Sequence, residues 1–124
     1  KTQGLSEEEE KFWIKNIQGI SFSKRTEENN FPLWVKIVQD ADLLDAIGAI
    51  GIGRTFMYGA THGSLMYDPQ KAGIKDSSIL QHFDDKLLKI PDLLSTSAGK
   101  EIGQERKKIM LDFLKAFKKE WEGQ

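Results

Sequence analysis

The chain has no cysteine among its 124 residues. Disulfides are therefore excluded, and so is any metal site built on thiolates. That composition fits a reducing, cytoplasmic setting. Histidine is scarce as well: only His62 and His82 occur, and no His-Asp dipeptide. An excess of one charge is also missing. A formal net charge of −1 makes no global electrostatic case for a nucleic acid polymer or a membrane surface. The longest apolar-rich run, Leu43 to Ile52, contains Asp45 and is far shorter than the roughly 20 residues of a membrane span. Lys1 to Leu5 lead into acids rather than into an apolar signal segment. Strand patterns, internal repeats and low-complexity segments are not seen. The chain has no Walker-type phosphate loop, no Gly-x-Ser-x-Gly elbow and no His-Glu-x-x-His motif. Gly48, Gly51 and Gly53 have only a superficial likeness to a dinucleotide fingerprint, since no strand precedes them.

What remains is one domain with a modest core, read as all-α, an irregular helical bundle. Ser6-Glu7-Glu8-Glu9 has the capping-box pattern and opens a helix from about Ser6 to Gln18, with Phe12, Trp13 and Ile17 on its apolar side. Gly19 stops it. Residues 20 to 30 read as a loop in which Ser21, Ser23 and Lys24 could face a phosphate and Phe22 could be buried. Pro32 suits the first turn of a helix running from Leu33 to Ala46. A second helix follows, continuous or kinked at Gly48 to Gly53, and ends near Tyr58-Gly59. Residues 60–78 form a long loop. Ser77 or Ser78 caps a short helix carrying Ile79, Phe83, Leu87 and Leu88, which Pro91 ends. Ser95 or Thr96 opens the last helix. Its inner stripe is expected at Ile102, Arg106, Ile109, Phe113, Phe117 and Trp121, with Met110 and Leu114 beside it and the lysines, Lys107 among them, mostly outside.

The most informative stretch runs from Val38 to Phe56. It is the most apolar part of the chain, yet it holds three aspartates. Ile37, Ala41, Leu44 and Gly48 fall at helical spacing and are expected to make the buried face. Asp42 and Asp45 are three apart and so adjoin on a neighbouring face, while Asp40 points elsewhere and reads as structural. A carboxylate close to a core is costly unless it is paired, hydrogen-bonded or bound to a metal. The many small residues point to close approach of a neighbour, because Gly inside a helix costs about 1 kcal/mol against Ala.

Asp40-Ala41-Asp42-Leu43-Leu44-Asp45-Ala46-Ile47-Gly48-Ala49-Ile50-Gly51 resembles the second half of the HD-domain superfamily of metal-dependent phosphohydrolases, closest to predicted HD hydrolases that include nucleotide pyrophosphohydrolases. The likeness continues in Ile20 to Lys24, Gly53 to Gly59, His82 to Lys89 and Arg106 to Trp121. It spans nearly the whole chain but only about the last half of a family member. Residues 1–124 are thus expected to be the C-terminal part of an HD-type helical domain, with the family's His and His-Asp motif upstream of them.

The resemblance implies a fold, a chemistry and site residues. Asp42 would be the last ligand of a divalent cation, Mn²⁺, Mg²⁺ or Fe²⁺, which lowers the pKa of bound water and offsets phosphoryl charge. Asp45 would act beside it, as a group in the catalytic machinery or by orienting a basic side chain. Arg54 and Lys86 would hold phosphate, Lys86 also serving the reaction, and Tyr58 would bound the substrate pocket. The competing reading for Arg54 and Arg106 is a salt bridge to an aspartate. His62 and His82 do not replace the missing motif, and His82 is placed at the pocket edge. Where the subgroup carries Asp-Arg-Leu this chain has Asp42-Leu43-Leu44, so a positive charge is missing there. The expected partner is a nucleotide or another phosphorylated small molecule. The alternative is a catalytically inactive helical interaction module or homodimer derived from such a domain, using apolar surface left exposed.

Overall fold

The structure, a computed structural model, describes residues 4–18, 20, 31–70 and 78–124. Gly19, the phosphate-loop candidates Ser21, Ser23 and Lys24, the residue Phe22, the cap candidate Ser77 and residues 71–77 of the long loop lie outside them. Among the described residues the chain is all-α. The helices are α1 (Glu7–Gln18), α2 (Leu33–Asp45), α3 (Gly48–Thr61), α4 (Ile79–Asp85) and α5 (Ser97–Trp121), with a 3₁₀ helix at Leu87–Leu93.

Local chemistry starts these helices. The Ser6 backbone N–H donates to Glu9 Oε2 at 2.8 Å, and the Glu9 N–H donates back to Ser6 Oγ at 3.3 Å. These two bonds complete the capping box. The Ser6 backbone N–H, and then the Ser6 hydroxyl, hold the Glu9 carboxyl below its ordinary pKa, against a small opposing effect of desolvation. A carboxyl with a depressed folded pKa stabilises fully above its unfolded value and loses that contribution as pH falls through the folded one. Ser6→Ala is therefore expected to move the Glu9 titration upward when followed by NMR. An unchanged midpoint would rule out the Ser6 hydroxyl as a cause and leave the backbone N–H alone responsible. Pro32 is the residue before α2, with φ −54° and ψ 153°. Ser78 caps α4 by accepting from Gln81 N–H at 3.3 Å, and Thr96 caps α5 by accepting from Gly99 N–H at 3.0 Å.

α2 and α3 are two helices, separated at Ala46 and Ile47. Gly48 has φ +80°, a conformation that side-chain-bearing residues rarely adopt. A Cβ there would also meet Arg106 Cγ at 2.9 Å, so the close approach expected of these glycines is made at this break. α3 runs on to Thr61, two residues past Gly59, and the following segment is tied down. Leu65 and Met66 carbonyls accept from Ile79 and Leu80 N–H at 2.9 and 3.0 Å.

The core gathers Leu43, Ile47, Ile79, Leu80, Phe83, Leu87, Ile90, Leu94, Met110 and Leu114. Burial of such side chains is worth about 1.5–3 kcal/mol each. Three expectations are corrected here. The buried face of α2 is Val35, Gln39, Asp40 and Leu43, whereas Ile37 is 53% exposed and Ala41 is also exposed. α2 is apolar on two sides, so its sequence pattern does not say which side meets the core. Leu87 and Leu88 belong to the 3₁₀ helix, which includes Pro91 instead of ending at it. On α5 the inward residues are Gly99, Gly103, Met110 and Leu114, while Ile102, Ile109 and Trp121 are exposed. Lys107 is half-buried, with Nζ 3.8 Å from Asp92.

α1 contributes one buried residue, Asn16, whose side-chain amide donates to Phe12 O at 2.7 Å. Phe12, Trp13 and Trp34 form an exposed aromatic cluster, the two indoles 5.4 Å apart.

Candidate phosphate-binding hollow

One face of α3 and the end of α4 line one open hollow. Gly51, Arg54, Thr55 and Tyr58 lie along one face of α3, at spacings of three and four residues. Opposite them stand His82 from α4 and Lys86, the residue that closes α4. Ala46 and Leu87 complete the walls of a space of about 450 Å³. An adjoining smaller hollow of about 160 Å³ shares Ala46, Arg54 and Lys86 and is lined also by Asp42, Leu43, Asp45 and Ile90. The structure thus brings together all five residues expected at the site: Asp42, Asp45, Arg54, Tyr58 and Lys86.

Their individual geometry separates their roles. Arg54 is ion-paired with the Asp45 carboxylate, and it reaches the Asp45 carbonyl at 3.4 Å. The two side chains are 60% and 67% exposed, so the pair is worth about 0–1 kcal/mol at most. Such a pair orients the guanidinium without locking it, and an incoming phosphate competes easily for the same donors. His82 has its pKa lowered, first by desolvation and then by the charge of Lys86, with Asp85 opposing. It is neutral at neutral pH and can both donate and accept a hydrogen bond.

Asp42 is exposed on α2. Among the described residues no three His, Asp or Glu side chains come together in a way that would hold a metal ion. Asp42 and Asp45 line the same small hollow, but a catalytic divalent cation needs more ligands than two carboxylates, so the described residues do not by themselves complete such a site. Leu43, at the position where the resembling subgroup carries Arg, is 4% exposed and belongs to the core.

The other candidates have structural roles. Arg106 makes no aspartate bridge among the described residues; its guanidinium donates to the Leu44 carbonyl. Asp40 accepts from Ser95 N–H and Thr96 N–H, both at 2.8 Å, and from Thr96 Oγ1 at 2.6 Å. His62 packs on Tyr58, with ring centroids 3.9 Å apart. Sequence reasoning missed Ala46, Gly51 and Thr55. Their signal was present, since residues 51, 55 and 58 follow the helical repeat of Arg54, but small residues carry no chemical label. The Thr55 hydroxyl is turned inward, donating to Gly51 O at 2.7 Å.

With this geometry in view, solved structures place the fold. A Lin1889 protein from Listeria innocua superposes with a TM-score of 0.79 at 44% identity, covering 98% of this chain and 61% of its own. An HD-superfamily hydrolase from Bacillus thuringiensis does so with a TM-score of 0.74 at 43% identity, covering 98% and 57%. The fold is HD-like. The uncharacterized protein YpgQ of Bacillus subtilis is 36% identical over 122 residues, which is 97% of this chain and 57% of YpgQ. Its crystal structure in complex with ADP superposes with a TM-score of 0.73 at 34% identity, covering 96% and 58%. No protein-family model matches the chain. The chain spans 53–57% of the length of the curated relatives it matches. No helix among the described residues is long and apolar enough to cross a membrane.

Proposed function

We propose that these residues are the phosphate-holding part of an HD-type phosphohydrolase, acting on a nucleotide or another phosphorylated small molecule. The observation that carries this reading is the meeting of Arg54 and Lys86 with neutral His82 around one open hollow. Two cationic side chains there offset phosphate charge, and Arg adds bidentate geometry. The ADP complex of YpgQ, a relative that superposes over nearly all of this chain, supports a nucleotide as the ligand. In this reading Arg54 and Lys86 bind the phosphates, Asp45 presents Arg54, and Tyr58 bounds the ligand. Asp42 would be one ligand of a divalent ion among several. The described residues hold no group of three side chains that could complete such a site.

Calorimetric titration with ADP tests the proposal. Arg54→Ala and Lys86→Ala are each expected to weaken binding about tenfold or more, the usual size for a hydrogen bond to a charged group. Wild-type protein that fails to bind ADP, or binding indifferent to both substitutions, would sink it.

A second reading rests on a different surface. Phe12, Trp13, Trp34, Ile37 and Val38 are all exposed at α1 and α2, at 47%, 42%, 37%, 53% and 41%. Apolar surface of this kind marks interaction sites. It favours an interaction module or homodimer, which sedimentation of the chain distinguishes from a monomeric ligand binder.

A further inference from the structure

The hollow is lined both by cationic side chains, Arg54 and Lys86, and by an aromatic ring, Tyr58. Arg54 and Tyr58 are one turn apart on α3, about 6 Å along its axis, and both line the same space. Tyr58 is 67% exposed, which is high for an aromatic ring beside a ligand-sized hollow. One face of that ring is already covered. His62, one further turn along, stacks on it with centroids 3.9 Å apart and planes 23° apart.

Three groups hold this stack in place. The His62 ring Nδ1 lies 2.8 Å from the Tyr58 carbonyl oxygen. A carbonyl can only accept, so that nitrogen carries the proton and the ring orientation is set. Thr61 Oγ1 donates to the same carbonyl at 2.8 Å and lies 3.1 Å from the His62 ring nitrogen. The imidazole is thus pinned against the tyrosine from behind, at the end of α3. A pinned, exposed ring loses little freedom when a second ring settles on it.

We infer that Tyr58, backed by His62, is a stacking platform for the base of a nucleotide whose phosphates are held by Arg54 and Lys86. The platform deepens the phosphate-binding reading above and rests on it. It assigns the ligand class as nucleoside phosphates rather than sugar phosphates or inorganic anions. The lining divides the work: cations take the charge, which every phosphorylated molecule offers, and the aromatic ring takes the base, which only a nucleotide offers. His62 touches no ligand in this arrangement. It is a positioning residue that acts through Tyr58.

The experiment compares ADP with inorganic pyrophosphate, titrated into the same 124-residue chain. ADP is expected to bind about tenfold more tightly than pyrophosphate, in keeping with the worth of one base–aromatic stack. Tyr58→Ala is expected to bring the two affinities together, Tyr58→Phe to preserve their ratio, and His62→Ala to reduce it. The ratio is the readout because a general loss of structure lowers both affinities alike. Equal affinities in the wild-type chain, or a ratio that Tyr58→Ala leaves unchanged, would overturn the platform and leave the phosphate hollow standing. Failure of both ligands to bind would overturn the phosphate reading and the platform with it.

Discussion

Asp40→Ala is expected to destabilise the protein by about 3–5 kcal/mol, one of the two largest effects of any substitution considered. Asp40 is 3% exposed, and its two carboxylate oxygens accept from Ser95 N–H, Thr96 N–H and Thr96 Oγ1. An N–H or hydroxyl left buried without a partner costs about 1–3 kcal/mol, and hydrogen bonds to an ionised group are the stronger kind. Alanine would strand these donors together. Gly99 shows how closely the site is fitted: a Cβ there would collide with Asp40 Oδ2 and lie 2.8 Å from Thr96 Oγ1. The loss is not confined to three bonds. Thr96 is the cap of α5, so removing Asp40 also loosens the residue that starts the longest helix. Asp40→Asn retains one acceptor and is expected to fall between wild type and alanine. Urea unfolding followed by circular dichroism measures both, and a loss under about 1 kcal/mol for alanine would contradict the bridging role.

Phe83→Ala is the second, also expected at about 3–5 kcal/mol. The side chain is 0% exposed. Its ring meets Phe56 at 6.4 Å and Phe113 at 6.2 Å, so it joins α4 to α3 and α5 at one point. Deleting it removes transfer free energy and leaves a cavity that three helices cannot close without moving. Against a typical stability of about 5–15 kcal/mol, that is a large share. The midpoint of urea unfolding should fall with an unchanged slope, and Phe83→Leu should recover most of the loss. Near-wild-type stability of Phe83→Ala would mean that α4 is not part of the cooperative unit.

The parts of this fold that could be read from sequence are the ones decided within a few residues. Ser6 with Glu9, Ser78 and Thr96 are caps recognised by residue type and spacing, and each makes its bond. The aspartate-rich motif and its small residues located α2 and α3 but left open whether they were one helix or two, and the resemblance they carry agrees with the HD-like fold. The rotation of α2 was not legible. Ile37 and Val38 compete with Val35 and Leu43 as an apolar face, and the pair that wins is chosen by Asp40, whose partners lie 55 and 56 residues away. α5 failed in the same way: Gly99 and Gly103 face inward because the neighbours come too close for larger residues, and a hydrophobicity pattern does not register that. The residues expected at the site do lie around two adjoining hollows. The Asp45 pairing with Arg54 was one open alternative among several, and only the geometry chose it.

Arg106 has a consequence for how such a site changes over time. It donates to Leu44 O at the end of α2 and its side chain lies over Gly48, where α3 begins. The angle at which α3 carries Arg54 and Tyr58 is thus set from the rear by a residue of α5 that lines neither hollow. Variation along α5 can therefore retune ligand preference gradually, leaving every ligand-contacting side chain as it is.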